Sequence, residues 1–448
     1  MEKNLTTGSV FKTVVYFSLP YLLSYFLQTL YGMADLFIIG QFNGVDSITA
    51  VSIASQVMHM LTVMIVGLAM GATVMIGRAV GAGKHEEVSS VIGNTIALFM
   101  ALSVIIMIGL LLAVKPIAAV MLTPSEAFGE TVTYLTICMI GIPFITGYNI
   151  ISSIFRGMGD SKSPMYFIGI ACAANIVLDY LFIGVFKLGA AGAALGTTLS
   201  QTISVIVSLT FIRKRKMGIS LSLKDLKPKT AVILNLLKVG IPVALQDGFI
   251  QISFLIITII ANNRGLNDAA AVGIVEKIIG ILFLVPSSML STVSVLSAQN
   301  AGAGKHDRAR QTLWIGILIT VVFGTISAVI MQFSAGSVIG LFTDNTKVIL
   351  LGGQYMSSYV WDCIFAGIHF CFSGYFCAYG LSGISFIHNS VSIICARIPL
   401  AYLASIYFAD TLFPMGIAAP VGSILSVVIC ISVFIWLSKR PGKLNGSI

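Results

Sequence analysis

Charge is scarce in this chain. Of 448 residues, 26 are Lys or Arg and 17 are Asp or Glu, 10% in all, whereas 57% are hydrophobic. An average soluble chain carries about 25% charge, so the deficit excludes a soluble enzyme or binding domain and leaves a polytopic helical membrane protein. Paired cysteines are missing too. Cys138, Cys172, Cys363, Cys371, Cys377, Cys395 and Cys430 all lie in apolar runs without a framework of spacings. They read as small buried hydrophobes and not as disulfides. Cys363, His369, Cys371 and Cys377 share one run, but their spacing matches no zinc pattern, so no metal site is expected. A phosphate loop is absent as well: Gly81-Ala82-Gly83-Lys84-His85 lacks the Gly-x4-Gly-Lys-Ser/Thr spacing and follows no strand, which leaves a tight turn between helices. Met1–Thr13 is short and polar and the run after it is too long for a leader core, so no cleavable signal is expected. The net charge of +9 sits in short loops between apolar runs, which argues against nucleic acid as a partner.

What the chain does have is twelve apolar runs: 14–40, 48–76, 91–114, 132–154, 164–186, 190–212, 232–261, 270–298, 313–335, 351–376, 385–408 and 413–437. Each is long enough to cross a ~30 Å hydrocarbon core as a helix, the expected spanning form because the backbone must satisfy its own hydrogen bonds in lipid. With a cytoplasmic N-terminus, 20 Lys and Arg fall on the cytoplasmic side and only Lys115, Lys187, Arg264 and Lys347 on the other, with Lys277 and Arg397 inside spans. This positive-inside bias predicts a multi-pass protein of the cell (inner) membrane with both termini cytoplasmic.

The chain also repeats itself. Gly81-Ala82-Gly83-Lys84-His85 after span 2 recurs as Gly302-Ala303-Gly304-Lys305-His306 after span 8, 221 residues on. Pro20 and Pro242 are 222 apart, Tyr134 and Tyr355 are 221 apart, as are Gly159 and Gly380, and Tyr180-Leu181 returns as Tyr402-Leu403 after 222. The predicted fold is therefore all-α and integral to the membrane: twelve transmembrane helices in two six-helix lobes, residues 1–222 and 223–448, related by a parallel internal repeat. That architecture belongs to transporters with a substrate path between lobes. The basic linker from Arg213 to Thr230 reads as a topology-fixing cytoplasmic connection near anionic headgroups.

Against so apolar a background, polar residues inside spans stand out. A carboxylate in mid-span costs about 2.5–3.5 kcal/mol even on gentle insertion scales, and Asp35 in span 1 has no charged neighbour within ten positions. At 1.5 Å per residue, Asp35 lies ~7 Å from the outer end of its span, Asp179 ~10 Å, Asn175 ~16 Å and Thr197 ~10 Å. Asn175 and Asp179 are four apart and share a helix face. Two carboxylates, an amide and a hydroxyl from three helices thus fall in the outer half of one lobe. Such a set can hold a proton, or a hard cation through oxygen ligands. At an offset of 222, Asp35 maps to Ile257, Asn175 to Arg397 and Asp179 to Ala401, so the second lobe lacks this set. Its own Glu276 and Asp362 either line a cavity or make structural ion pairs, while Asp247, Lys277 and Arg397 read as structural. Pro20 is either a simple bend near the inner end of span 1 or a hinge below Asp35. The many Phe, Met and Tyr side chains are mostly packing, though a cavity lined by them would suit bulky organic cations.

Twelve spans in two lobes, Pro20 and Asp35 in span 1, Gly-Ala-Gly-Lys after spans 2 and 8, Arg156-Gly157-Met158-Gly159-Asp160 after span 4 and Gly192-Ala193-Ala194-Leu195-Gly196-Thr197 in span 6 together resemble the multidrug and toxic compound extrusion (MATE) transporters. Asp35, Asn175, Asp179 and Thr197 resemble the cation site of the prokaryotic DinF-like branch. The resemblance implies a monomeric antiporter and not an enzyme. An inward H⁺ or Na⁺ gradient would drive export of cationic or amphipathic compounds by alternating access, without a cofactor. Asp35 and Asp179 would bind the coupling ion, Asn175 and Thr197 would support them, and Pro20 would let span 1 bend. The chain departs from the pattern after span 10, where Cys377-Ala378-Tyr379-Gly380 replaces the Arg-Gly element. A lipid or polysaccharide-precursor flippase of a related superfamily is the alternative; it would need a wider basic cavity than Lys277 and Arg397 provide.

Overall fold

The computed structural model describes residues 4–215 and 224–439. The expected lobe boundary at 222/223, part of the basic linker, and Lys3, Lys216, Arg440 and Lys443 lie outside these residues. Among the described residues every element of regular structure is a helix. The first half comprises α1 (Val10–Phe42), α2 (Val45–Gly81), α3 (His85–Val120), α4 (Ser125–Ile140), α5 (Ile142–Gly157), α6 (Lys162–Asp179) and α7 (Gly189–Arg215). The second comprises α8 (Thr230–Arg264), α9 (Leu266–Leu282), α10 (Leu284–Gly302), α11 (His306–Ile339), α12 (Thr346–Tyr359), α13 (Asp362–Ala378), α14 (Ser382–Ser392), α15 (Ile398–Tyr407) and α16 (Phe413–Ser438). Ten spans are long and apolar enough to cross a membrane, and α4–α5 and α12–α13 complete the twelve as pairs bent by 48° and 41°.

The bends and breaks have local causes. Pro143 stands in the first turn of α5, where its missing N–H costs nothing but the preceding helix cannot run through it. Two spans contain a turn of π-helix: Tyr180–Val185 follows α6 directly, and Ile393–Arg397 joins α14 to α15. In the second, Pro399 lacks the donor that the α ladder needs, and the ladder widens just before it. Gly83 and Gly304, with φ of 69° and 71°, close the turns after α2 and α10 in the left-handed conformation that favours glycine. The repeat is thus structural as well as textual.

Contacts divide the chain into two compact units that do not follow a single cut in the sequence. One holds Leu19–Gly240 and the other Leu5–Ser18 with Ile241 onward. The first two turns of α1 therefore belong to the second unit, and the first three turns of α8 to the first. The changeovers fall at Ser18/Leu19 and Gly240/Ile241, just before Pro20 and Pro242. Through Pro20 itself α1 runs unbroken.

The first unit has two apolar clusters. One gathers Ile38, Ile39, Val51, Tyr134, Leu135 and Ala193. The other gathers Ala72, Ile76, Val91, Phe155, Phe167 and Leu236, with Phe155, Phe167 and Phe211 packed ring to ring at 5.4–6.1 Å. Asp35 lies one turn before the first cluster's Ile38 and Ile39, and Asn175 one turn after the second cluster's Ala171, so a polar site sits between two greasy blocks.

Candidate ion site in the first unit

Three helices build the site: α1 brings Tyr31 and Asp35, α6 brings Asn175 and Asp179, and α7 brings Gly196, Thr197 and Ser200. The Thr197 hydroxyl donates to Asp35 Oδ2 at 3.0 Å. One turn back along α1, the Tyr31 hydroxyl lies 2.9 Å from the Thr197 carbonyl and 2.8 Å from Ser200 Oγ, and Ser200 Oγ donates to the same carbonyl at 2.8 Å. These bonds fix the facing surfaces of α1 and α7 at the level of Asp35. Asn175 and Asp179 are its polar neighbours from α6.

Asp179 reaches this position because α7 offers a glycine there: a Cβ on Gly196 would overlap Asp179 Oδ1. Immediately after Asp179 the backbone turns π-helical, with Phe186 N bonded to Leu181 O at 2.9 Å. Such widened turns often accompany functional sites.

The set is buried, and its polar atoms are under-satisfied within the protein. Asp35 is 3% exposed, and Asn175 and Asp179 are fully buried. Asp35 Oδ1, both Asp179 carboxyl oxygens, and the Asn175 amide oxygen and nitrogen have no hydrogen-bond partner. Neither carboxyl pairs with a basic side chain among the described residues. Buried polar atoms are normally paired, and two uncompensated carboxylates out of water are costly. The arrangement calls for a proton or a small cation, and its oxygen-rich donors fit either.

All four residues expected at this site, Asp35, Asn175, Asp179 and Thr197, come together. Pro20, four turns toward the N-terminus on α1, does not touch them; its carbonyl accepts from Ser24 Oγ at 2.8 Å. Glu276 and Asp362 belong to a different cluster, in the second unit, whose central member is Arg397. The Arg397 guanidinium donates to the Tyr359 hydroxyl and lies 4.7 Å from the Phe254 ring centroid. Glu276 and Asp362 act on it electrostatically from α9 and α13. Tyr31 and Ser200 were not singled out by the sequence, although Tyr31 is four residues before Asp35 and Ser200 three after Thr197, spacings that share a helix face.

Comparison with known proteins agrees with this architecture. The MatE family profile matches residues 20–181 and again 242–403, two copies 222 residues apart, the interval of the sequence repeat. A probable multidrug resistance protein of Bacillus subtilis, YoeA, is 25% identical over 445 residues, covering 97% of this chain and 96% of its own. The multidrug export protein MepA of Staphylococcus aureus (strain MW2) is 26% identical over 366 residues, covering 82% and 81%. Among solved structures, a MATE protein in the bent conformation superposes with a TM-score of 0.89 at 23% identity, over 98% of this chain and 97% of that one. A multidrug resistance MATE family transporter in an outward-facing conformation does so with 0.89 at 23%, over 99% of each. With the profile covering both halves of the repeat, the chain belongs to the MatE family of membrane transporters.

Proposed function

We propose that this protein is a cation-coupled antiporter of the cell membrane, with both termini cytoplasmic, that exports cationic or amphipathic organic compounds. The observation that carries the reading is the Asp35–Asn175–Asp179–Thr197 constellation: two buried carboxyls without a basic partner, joined by an amide and a hydroxyl, in a set drawn from three helices. The family membership and the names of the relatives, multidrug resistance and multidrug export, support the class of cargo. The bias of 20 basic residues to 4 supports the orientation.

The coupling ion, H⁺ or Na⁺, is a co-substrate here. Binding at Asp35 and Asp179 removes the charge that opposes closing a dry site around them. For the ion to drive anything it must bind the two access states differently. The asymmetry would arise where α1 moves against α7, because Thr197 and Tyr31 tie those helices together at this depth. Bending at Pro20 is the proposed route for such a movement.

The test is transport in proteoliposomes loaded with a fluorescent cationic dye, with a pH gradient and a Na⁺ gradient imposed separately, comparing the wild type with Asp35→Asn. Gradient-driven dye movement in the wild type, lost in the variant while dye binding persists, is the expected result, and the effective gradient names the ion. If neither gradient moves dye bound by the wild type, drug antiport is wrong.

A further inference from the structure

The second unit carries a polar cluster of its own, whose carboxyls come from positions not equivalent to Asp35 and Asp179 but whose centre stands at the register position of Asn175. Superimposing the two family matches pairs Asn175 with Arg397. Each residue stands in the span that directly follows a bent pair; Arg397 closes a π-helical turn, and Asn175 lies about one turn before one. Each also has two carboxyls as electrostatic neighbours: Asp35 and Asp179 around Asn175, Glu276 and Asp362 around Arg397. In the first unit two carboxyls and an amide come together with no basic side chain paired to them among the described residues. In the second, a guanidinium stands where the amide would be.

Arg397 is bound there as a free organic cation would be. It is 8% exposed. Its head lies over the Phe254 ring at 4.7 Å and near the Tyr359 ring at 5.6 Å, at the distances of cation–π contact. One N–H group reaches the Tyr359 hydroxyl. No ion pair within the usual contact distance joins it to either carboxyl; instead Arg397 Nε, Asp362 Oδ1 and Glu276 Oε1 are all buried and without a hydrogen-bond partner. Glu276 is steadied from behind, its Oε2 lying 3.2 Å from the Thr258 hydroxyl. A salt bridge evolved for stability would close this gap, since buried charges gain only when their hydrogen bonds are satisfied. A looser fit, with aromatic faces against the cation and carboxyls that act on it without direct contact, is the design of a cation-binding cage.

We propose that the second unit contains a site for a monovalent planar organic cation of the guanidinium class, built from Glu276, Asp362, Phe254 and Tyr359 and filled in the resting protein by the protein's own Arg397. Removing the side chain then exposes a vacant cage that accepts free guanidinium. In the wild type, an outside cation must displace the Arg397 head to enter. The inference uses the second unit alone and stands or falls apart from ion coupling at Asp35.

The test is the thermal unfolding midpoint of the purified full-length protein in detergent, titrated with millimolar guanidinium chloride. Equal NaCl controls for ionic strength, and equal urea, a planar but uncharged isostere, controls for shape. Arg397→Ala should show a saturable rise of a few degrees with guanidinium and none with urea. The wild type and the Arg397→Ala/Glu276→Gln/Asp362→Asn triple variant should show none. No rise in Arg397→Ala, or a rise that survives in the triple variant, overturns the proposal. Should Arg397→Ala fail to fold, the charge balance is read in variants of similar volume. Glu276→Gln/Asp362→Asn should lower the midpoint by leaving Arg397 an uncompensated buried charge, and adding Arg397→Gln should restore it. A further fall on adding Arg397→Gln overturns the proposal in the same way.

Discussion

Thr197 Oγ1 sits 3.0 Å from Asp35 Oδ2, and the carbonyl of the same threonine is touched by the hydroxyl of Tyr31, one turn away from Asp35 on the same helix. A single residue of α7 thus holds α1 at two successive turns, once through its side chain and once through its backbone. The side-chain bond stabilises the carboxylate oxygen it reaches, while the backbone bonds do not depend on residue type.

This separation makes Thr197 a clean target. Thr197→Val keeps the shape and the carbonyl but removes the donor; Thr197→Ser keeps the donor. A hydrogen bond to a charged group is worth about 1.5–3 kcal/mol. Because that bond favours the ionised carboxylate, Thr197→Val should shift the apparent affinity for the coupling ion by roughly ten-fold or more, toward tighter binding if the ion is H⁺, and Thr197→Ser should stay near wild type. Ion titrations of gradient-driven dye transport at fixed protein density read this directly. Equal behaviour of the two variants would remove Thr197 from the ion site.

Gly196 offers a steric test of the same site. Its missing Cβ is the space that Asp179 Oδ1 occupies, so Gly196→Ala must move either α7 or the carboxyl. Packed interiors absorb such overlaps at about 1–3 kcal/mol. Coupled transport should fall sharply in Gly196→Ala while the protein still purifies as a single species. Gly32→Ala on α1, where an added methyl meets nothing within 4 Å, is the matched control and should transport normally.

The route from sequence to structure was uneven for physical reasons. Asp35, Asn175, Asp179 and Thr197 could be read because a polar residue deep in an apolar run is costly, and because depth is simple arithmetic on a helix. The twelve spans and their repeat were legible for the same reason: lipid demands long apolar helices. Tyr31 and Ser200 were not, since Tyr and Ser are common in membrane helices and carry no cost that marks them. The bend at Gly141 is signalled by Pro143, but the bend at Val360-Trp361 has no proline to mark it. Arg397 read as structural with no partner named, because its carboxyl neighbours are supplied by α9 and α13, far away in the chain. The exchange of helix beginnings between units is likewise a long-range fact, with only Pro20 and Pro242 near its borders.

The helix entrance at Asp160 makes a stability prediction independent of transport. Asp160 Oδ1 accepts from the backbone N–H groups of Lys162 and Ser163 at 3.0 and 3.2 Å, and Oδ2 accepts from Ser163 Oγ at 2.7 Å. It caps the start of α6, the helix that carries Asn175 and Asp179. Asp160→Ala should cost about 1 kcal/mol, the usual price of losing a cap, and Asp160→Asn much less, since an amide oxygen still accepts. Thermal unfolding in detergent orders the three proteins; an Asp160→Asn as unstable as Asp160→Ala would show that the charge, and not the cap, is what matters.

The beginning of the chain gives the last prediction. Within the second unit, the segment before α1 is strapped to the turn that opens α11. Lys305 Nζ reaches the Thr6 carbonyl at 2.9 Å, and the two terminal nitrogens of Arg308 donate to the carbonyls of Gly8 and Thr7, each at 2.7 Å. The Leu5 N–H reaches Gln299 Oε1 at 3.2 Å, and Leu5 itself is buried. At the corresponding turn of the first unit Lys84 pairs with Glu87 at 3.3 Å in the open, and the segment before α8 is held by α3 instead, where Asn94 Oδ1 accepts from Lys229 N at 2.6 Å and Ser90 Oγ from Lys229 Nζ at 2.9 Å. Beside the buried Leu5, charged donors on three backbone carbonyls hold this segment, and Arg308 supplies two of those contacts. Arg308→Ala should speed amide exchange across residues 5–9 by about ten-fold, the effect of losing roughly 1–2 kcal/mol of charge-assisted bonding at a partly exposed site. Exchange in α13, elsewhere in the same unit, should not change. Hydrogen–deuterium exchange followed by peptide mass spectrometry resolves the two regions. If both accelerate together, Arg308 supports the fold of the whole unit; if neither does, the hydrogen bonds of Lys305 and Leu5 suffice to hold the strap.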